Sequence, residues 1–408
     1  MLQSSYFRGI KTMLQTFILK HKNENCGIIS IDTSDGSMDQ FSSIKKSIAP
    51  FLGGPTRGLM KKWWAARCVP ATRKSMQEII RLADCGTSGE YLAKNLALSM
   101  TDCYWICPAD AELRWHDVDL RYSGKIMGGK VPYHNASSYD PNASLTGQME
   151  KYWDLTGKVP FLVKTAGTHY GQQAVNELFA TCLHEYQDTC FPYVKYSVRE
   201  TADNDLQSVC AAFTSENVEF VPAMEILDSE KIPNDEPLYD AYIRICASHG
   251  LDLGYMSDYM DYQTLSDFVI SNTDEHMMNF GIVRDPDTLN FIDAAPIFDS
   301  GNSMFYADER RKPYERHELL ERRITSFHKT EDLMLKHVKN RTVLKADLLP
   351  SPNDVKEFYE KYGIPENKAA FISKNFERKV KMLEEFQRGR TISLYKEKKR
   401  YQETKHVL

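Results

Sequence analysis

Hydrophobic positions change period along the chain, and those changes mark its organisation. Near the N-terminus Ile10, Met13, Leu14, Phe17 and Ile18 recur at spacings of three and four, which predicts an amphipathic helix or frayed leader over 1–25. Gly27-Ile28-Ile29-Ser30-Ile31 reads as a short strand before the turn Leu52-Gly53-Gly54-Pro55. From 58 to 102 the period is helical, carried by Leu59, Trp63, Trp64, Met76, Ile80, Tyr91 and Leu92, and the run Tyr104-Trp105-Ile106 closes this stretch. Trp63 and Trp64 are read as core. Residues 113–160 are turn-rich, with Asn135, Ser137, Ser138, Asp140 and Pro141 marking a boundary.

Beyond that loop the pattern alternates between short apolar runs and helical stretches. Strands are expected at 159–164, 190–199, 206–213 and 218–221, and a helix at 172–187 with Ala174, Leu178, Ala180 and Leu183 inward. Helices follow at 237–249 and 258–271, then a loop-and-strand segment at 272–305, and a charged helical tail over 313–400. The expected architecture is α+β: a mostly helical accessory unit at 1–135, a small mixed lobe at 136–230 and a helical lobe at 231–408.

Composition narrows the class. A 408-residue chain with 42% hydrophobic and 26% charged residues suits two to three ordered domains. It contains no apolar run of ~18 residues, so no membrane span is expected. A net charge of -5 offers no footprint for nucleic acid, and the basic residues at 396–400 are interleaved with glutamates, as on a solvated helix. The nine cysteines are scattered and odd in number, unlike a disulfide framework. Cys103 and Cys107 read as packed thiols, and a reducing cytoplasm is the expected location.

The chemistry gathers in Asn272-Thr-Asp-Glu-His-Met-Met-Asn-Phe280. An aspartate followed five positions on by an asparagine suits phosphoryl transfer, because Asp274 can accept a hydroxyl proton while Asn279 offers an oxygen to Mg²⁺. Downstream, Asp299 supplies a carboxylate for the same cation. Asp293 competes for that role, and Asp299 is preferred because Ser300-Gly301 follows it as a flexible turn. Upstream, Lys164 ends an apolar strand where an amine can reach phosphates, and Glu177 is spaced to hold it. The loop before that strand, with Ser144 and Gly147, is a candidate phosphate cradle, and Ser144 within it is also a candidate for autophosphorylation. Phe213, near the expected lobe linker, is either an adenine shelf or core.

Taken in order, Ser144-Leu-Thr-Gly-Gln-Met-Glu-Lys151, Val163-Lys164, Asn176-Glu177, the 272–280 loop and Ala295-Pro-Ile-Phe-Asp299 resemble the motifs of HipA-like serine/threonine kinases across residues 140–305. The resemblance implies a protein-kinase-like two-lobed fold, with ATP and Mg²⁺ as ligands. It implies that Lys164 contacts phosphate, that Asp274 is the catalytic aspartate, and that Asn279 and Asp299 hold metal. His276 falls in the same pattern as a brace for the loop. It further implies a protein substrate with a Ser or Thr acceptor and, from the toxin–antitoxin members, a small helix-turn-helix partner. Met278 departs from the lysine common at that position, and the N-terminal stretch resembles a longer group of HipA-domain proteins. Two other readings stay open: a kinase for a small molecule or lipid headgroup, and a non-catalytic or toxin-type regulatory binding protein.

Overall fold

A computed structural model describes residues 14–121 and 139–405. The contacts divide the chain into Met1–Glu150 and Lys151–Leu408. Most of the expected leader, together with Asn135, Ser137, Ser138 and the expected boundary at 135, lies outside the described residues.

The first unit is mixed rather than mostly helical. Strands β1 (Leu14–His21), β2 (Glu24–Asp32), β3 (Met38–Ser43) and β4 (Tyr104–Pro108) form an antiparallel sheet in the order β3-β2-β1-β4. The helix expected over 14–25 is therefore a hairpin. Phe17, Leu19 and His21 alternate into the interior, and β1 pairs on both edges. The three-four spacing coexists with that alternation, and strand pairing selects the latter. Helices α1 (Arg57–Arg67), α2 (Met76–Leu82), α3 (Ser88–Lys94) and α4 (Trp115–Val118) complete the unit. The buried face of α1 is Met60, Trp63, Trp64 and Arg67, so both tryptophans are core, as expected. Arg67 is held by both oxygens of Asp102 at 2.7 and 3.1 Å and by the carbonyls of Ala97 and Tyr104. All nine cysteines are free, with Cys103 and Cys107 buried.

The second unit begins with an antiparallel sheet in the order β5-β6-β8-β7, built from β5 (Glu150–Asp154), β6 (Phe161–Ala166), β7 (Tyr196–Glu200) and β8 (Leu206–Ala211). Helix α5 (Gln172–Gln187) packs on it and buries Ala174, Val175, Ala180 and Leu183, whereas Leu178, expected inward, is only half-buried. A second sheet, β11-β10-β9, uses β9 (Glu219–Pro222), β10 (Gly281–Arg284) and β11 (Phe291–Ala294). Gly281 opens β10 against β9, where a Cβ would collide with the Val221 carbonyl. The helices are α6 (Ala223–Leu227), α7 (Leu238–Ser248), α8 (Leu253–Ile270), α9 (Arg316–Glu321), α10 (Glu331–Met334), α11 (Pro352–Lys361), α12 (Glu366–Gln387) and α13 (Leu394–Lys405). α8 is buried on most of its circumference and stops at Ser271, whose left-handed backbone (φ 50°) turns the chain into the 272–280 loop. Among the described residues no helix is long and apolar enough to cross a membrane.

Candidate active site

The site is built on β6 and α5. Lys164 sits on β6 directly across from Ser208 of β8, with its side chain 3% exposed. Its ammonium lies 2.5 Å from Glu177 Oε1 and 2.5 Å from Asp299 Oδ1. Ser208 Oγ donates to the other Glu177 oxygen, so this fully buried carboxylate is satisfied on both sides. The spacing between Lys164 and Glu177 thus becomes a contact because strand and helix pack face to face.

Charges in this triad shift one another. Burial favours a neutral amine at Lys164, but Asp299 and Glu177 outweigh it and hold the amine well above an ordinary lysine. Burial pushes Glu177 upward against the pull of Lys164. Burial alone would also raise Asp299, yet Lys164 and then Lys151 hold it below the usual carboxylate range. The result is a fixed cation beside an ionised carboxylate that is 29% exposed.

Asp299 adopts a left-handed backbone (φ 62°), with its N–H donating to the Tyr196 hydroxyl at 3.2 Å. The turn that follows is clamped to α5. Asn176 Nδ2 donates to the carbonyls of Gly301 and Ser303 at 2.9 and 2.7 Å, and Gln173 Nε2 donates to Asn302 Oδ1 at 2.7 Å. Tyr359 from α11 donates to Asn176 Oδ1 at 2.8 Å and fixes the amide. Asn302 Nδ2 then donates to Asp274 Oδ2 at 2.7 Å, which ties the 272–280 loop to the segment after Asp299.

The loop is braced from within. Asn279 Nδ2 donates to the Asp274 carbonyl at 2.8 Å, and the Thr325 hydroxyl donates to Asp274 Oδ1 at 3.0 Å. His276 Nδ1 accepts from Met278 N at 3.2 Å, so its ring braces the turn. Beneath lie Asp267, Gln263 and Glu275, with Asn272 Nδ2 donating to both Asp267 and Glu275. Burial pushes Asp267 up to about 7, and burial followed by Asp267 keeps Glu275 well above an ordinary carboxyl. Asn279 Oδ1 and Asp299 Oδ2 form no hydrogen bond among the described residues, leaving two oxygens of the type a hard cation uses. Asp293 is occupied differently: its Oδ1 accepts from the Tyr255 hydroxyl at 2.6 Å.

No protein-family model matches this chain, and no curated protein does. A solved structure, that of a Helicobacter pylori proinflammatory kinase, CtkA, is similar at 14% identity and a TM-score of 0.44, covering 60% of this chain and 93% of that one. The likeness is distant.

The remaining sequence candidates have these positions. Ser144 and Gly147 belong to the first unit. There Arg73 donates to the carbonyls of Leu145 and Gly147 at 2.5 and 2.6 Å, and Gly147 has φ +91°. Phe213 packs with Phe298 and Phe220 at ring separations of 5.4 and 5.7 Å, in a cluster with Val194, Tyr196 and Cys210. Sequence reasoning did not single out Asn302, Gln173, Tyr196 or Thr325. Asn302 lies three residues past Asp299 in a Ser-Gly-Asn turn, where asparagine reads as a turn former. Only its contact with Asp274 distinguishes it.

Proposed function

We propose that the protein is an ATP- and Mg²⁺-dependent phosphotransferase of the HipA-like kind, acting on a Ser or Thr hydroxyl of a protein. The observation that carries this reading is that α5 and the turn after Asp299 bring together two hydrogen-bonded groups, Lys164 with Glu177 and Asp299, and Asn302 with Gln173 and Asp274. Lys164 holds a positive charge where phosphate oxygens would lie, and Glu177 keeps its chain from swinging away. Asn279 and Asp299 would hold Mg²⁺, which supplies charge neutralisation for the transferred group. Asp274 orients the acceptor hydroxyl. As the new O–P bond forms and the bond from the γ-phosphorus to the bridging oxygen of ADP breaks, Asp274 takes the hydroxyl proton. Asn302 and Thr325 hold that carboxylate in place.

The test is phosphate transfer from labelled ATP with Mg²⁺ into a bacterial lysate, with wild type compared with Asp274→Ala. Transfer by wild type alone, with ATP still raising the melting temperature of the variant, supports the assignment. Equal transfer by the variant refutes Asp274 as the group that takes the proton.

A further inference from the structure

The segment 324–329 runs past the 272–280 loop and lays one hydroxyl on it. Ile324 is buried, and its N–H donates to the Lys329 carbonyl at 3.1 Å, which closes the segment on itself. Phe327 packs against Phe280, at the end of the 272–280 loop, and against Tyr239, both at ring separations of 5.4 Å. Between these two anchors Thr325 is exposed. Its backbone N–H donates to the Thr273 carbonyl at 3.0 Å, which sets the side chain beside Asp274. The Thr325 hydroxyl lies 3.0 Å from Asp274 Oδ1 and 3.1 Å from the Thr273 carbonyl oxygen.

This hydroxyl has what an acceptor needs as well as what a brace needs. A threonine oxygen carries one proton and two lone pairs. The proton is directed at Asp274 and the Thr273 carbonyl, while no donor reaches Oγ1 among the described residues, so its lone pairs are open. Asp274 Oδ2 takes the Asn302 amide, which leaves Oδ1 as the oxygen placed to remove a proton. A separation of 3.0 Å falls within the reach of about 2.6–3.2 Å that proton transfer requires. Exposure of Thr325 leaves the oxygen approachable from solvent. Ser326, the next hydroxyl along the chain, is half-buried and makes no hydrogen bond with Asp274 among the described residues.

We infer that Thr325 is an autophosphorylation site, modified within its own chain by Asp274. The inference rests on the phosphotransferase reading above and names that site's first acceptor. Thr325 Oγ1 attacks the γ-phosphorus of ATP, and the bond from that phosphorus to the bridging oxygen of ADP breaks. The hydroxyl proton passes to Asp274 Oδ1, leaving a phosphothreonine and ADP. Because the hydroxyl already rests on its own chain's Asp274, the reaction is unimolecular.

The test uses the full chain, freed of phosphate by a phosphatase and then incubated with ATP and Mg²⁺. Trypsin releases residues 324–329, between Arg323 and Lys329, and fragment masses tell Thr325 from Ser326. Phosphate should appear on Thr325, with a rate constant unchanged over an about 100-fold dilution of the chain. Thr325→Ser, which keeps the hydroxyl, should be modified at the same position. An isotope-labelled Asp274→Ala chain mixed with wild type should stay unmodified at Thr325. Transfer to lysate proteins with Thr325 unmodified, or phosphate on Ser326 instead, overturns the inference and leaves the phosphotransferase reading standing. Modification of the Asp274→Ala chain by wild type, with a rate that falls on dilution, has the same consequence. Absence of transfer to any acceptor overturns both.

Discussion

Replacing Lys164 with methionine removes the cation between Glu177 and Asp299 while keeping most of the chain's volume. Asp299 is 29% exposed and can turn to water, but Glu177 is 0% exposed and retains only Ser208. Breaking a buried pair from one side costs ~3–5 kcal/mol, because a charge stays behind without compensation. At about 2–4 °C per kcal/mol for a domain of this size, the melting temperature should fall by ~6–20 °C. The stranded carboxyl will tend to take up a proton, so its folded pKa rises further above the unfolded value. A raised carboxyl contributes stability at low pH and loses it as pH climbs through the folded value. The deficit of Lys164→Met should therefore be larger at pH 8 than at pH 5. Glu177→Gln in the same chain removes the stranded charge and should recover most of the loss. Urea unfolding of the wild type, both single variants and the double variant measures this cycle. A Lys164→Met deficit below about 1 kcal/mol at pH 8, or one that Glu177→Gln leaves unchanged, would refute the reasoning.

Other expectations follow from the same frame. Asp267 is pushed up to about 7 by burial, so its contribution to stability is complete below the unfolded value and is lost as pH rises toward 7. Asp267→Asn keeps an acceptor for Asn272 and should flatten the unfolding free energy between pH 4 and 7, by at most ~4 kcal/mol; an unaltered pH profile would contradict it. Asn302→Ala frees Asp274 Oδ2 and should lower kcat about 10–100-fold while ATP-induced stabilisation persists, measured by rates and thermal shift together. In the first unit, Arg67→Met strands Asp102 and should cost ~3–5 kcal/mol in urea unfolding, with Asp102→Asn recovering part of it.

Elements whose period has one interpretation were legible in the chain itself. Helix 172–187 coincides with α5, and Phe161-Leu-Val-Lys164 falls within β6, because each is an apolar-rich run with clear punctuation. The N-terminal segment failed on the same logic. Its apolar residues satisfy a helical and an alternating pattern together, and hydrogen bonding to β2 and β4 is what separates them. At the candidate site, side chains that carry charge were recognisable by type and spacing. Those that position them, such as Asn302, Gln173 and Tyr196, are neutral polar residues whose importance lies in the partner, and no local pattern names a partner.

The sequence by itself determined which residues are able to do the chemistry: a lysine on a strand (inside β6, which runs on to Ala166, not at its end), a helix glutamate, an Asp-to-Asn loop and a later aspartate in fixed order. Tertiary structure decided that Lys164 meets Asp299, 135 positions away, and that the distant Asn302 and Thr325 hold the Asp274 carboxylate. Local periodicity is set by neighbours a few residues away. Contacts between distant segments depend on how sheets and helices pack, and that is written in the whole fold at once.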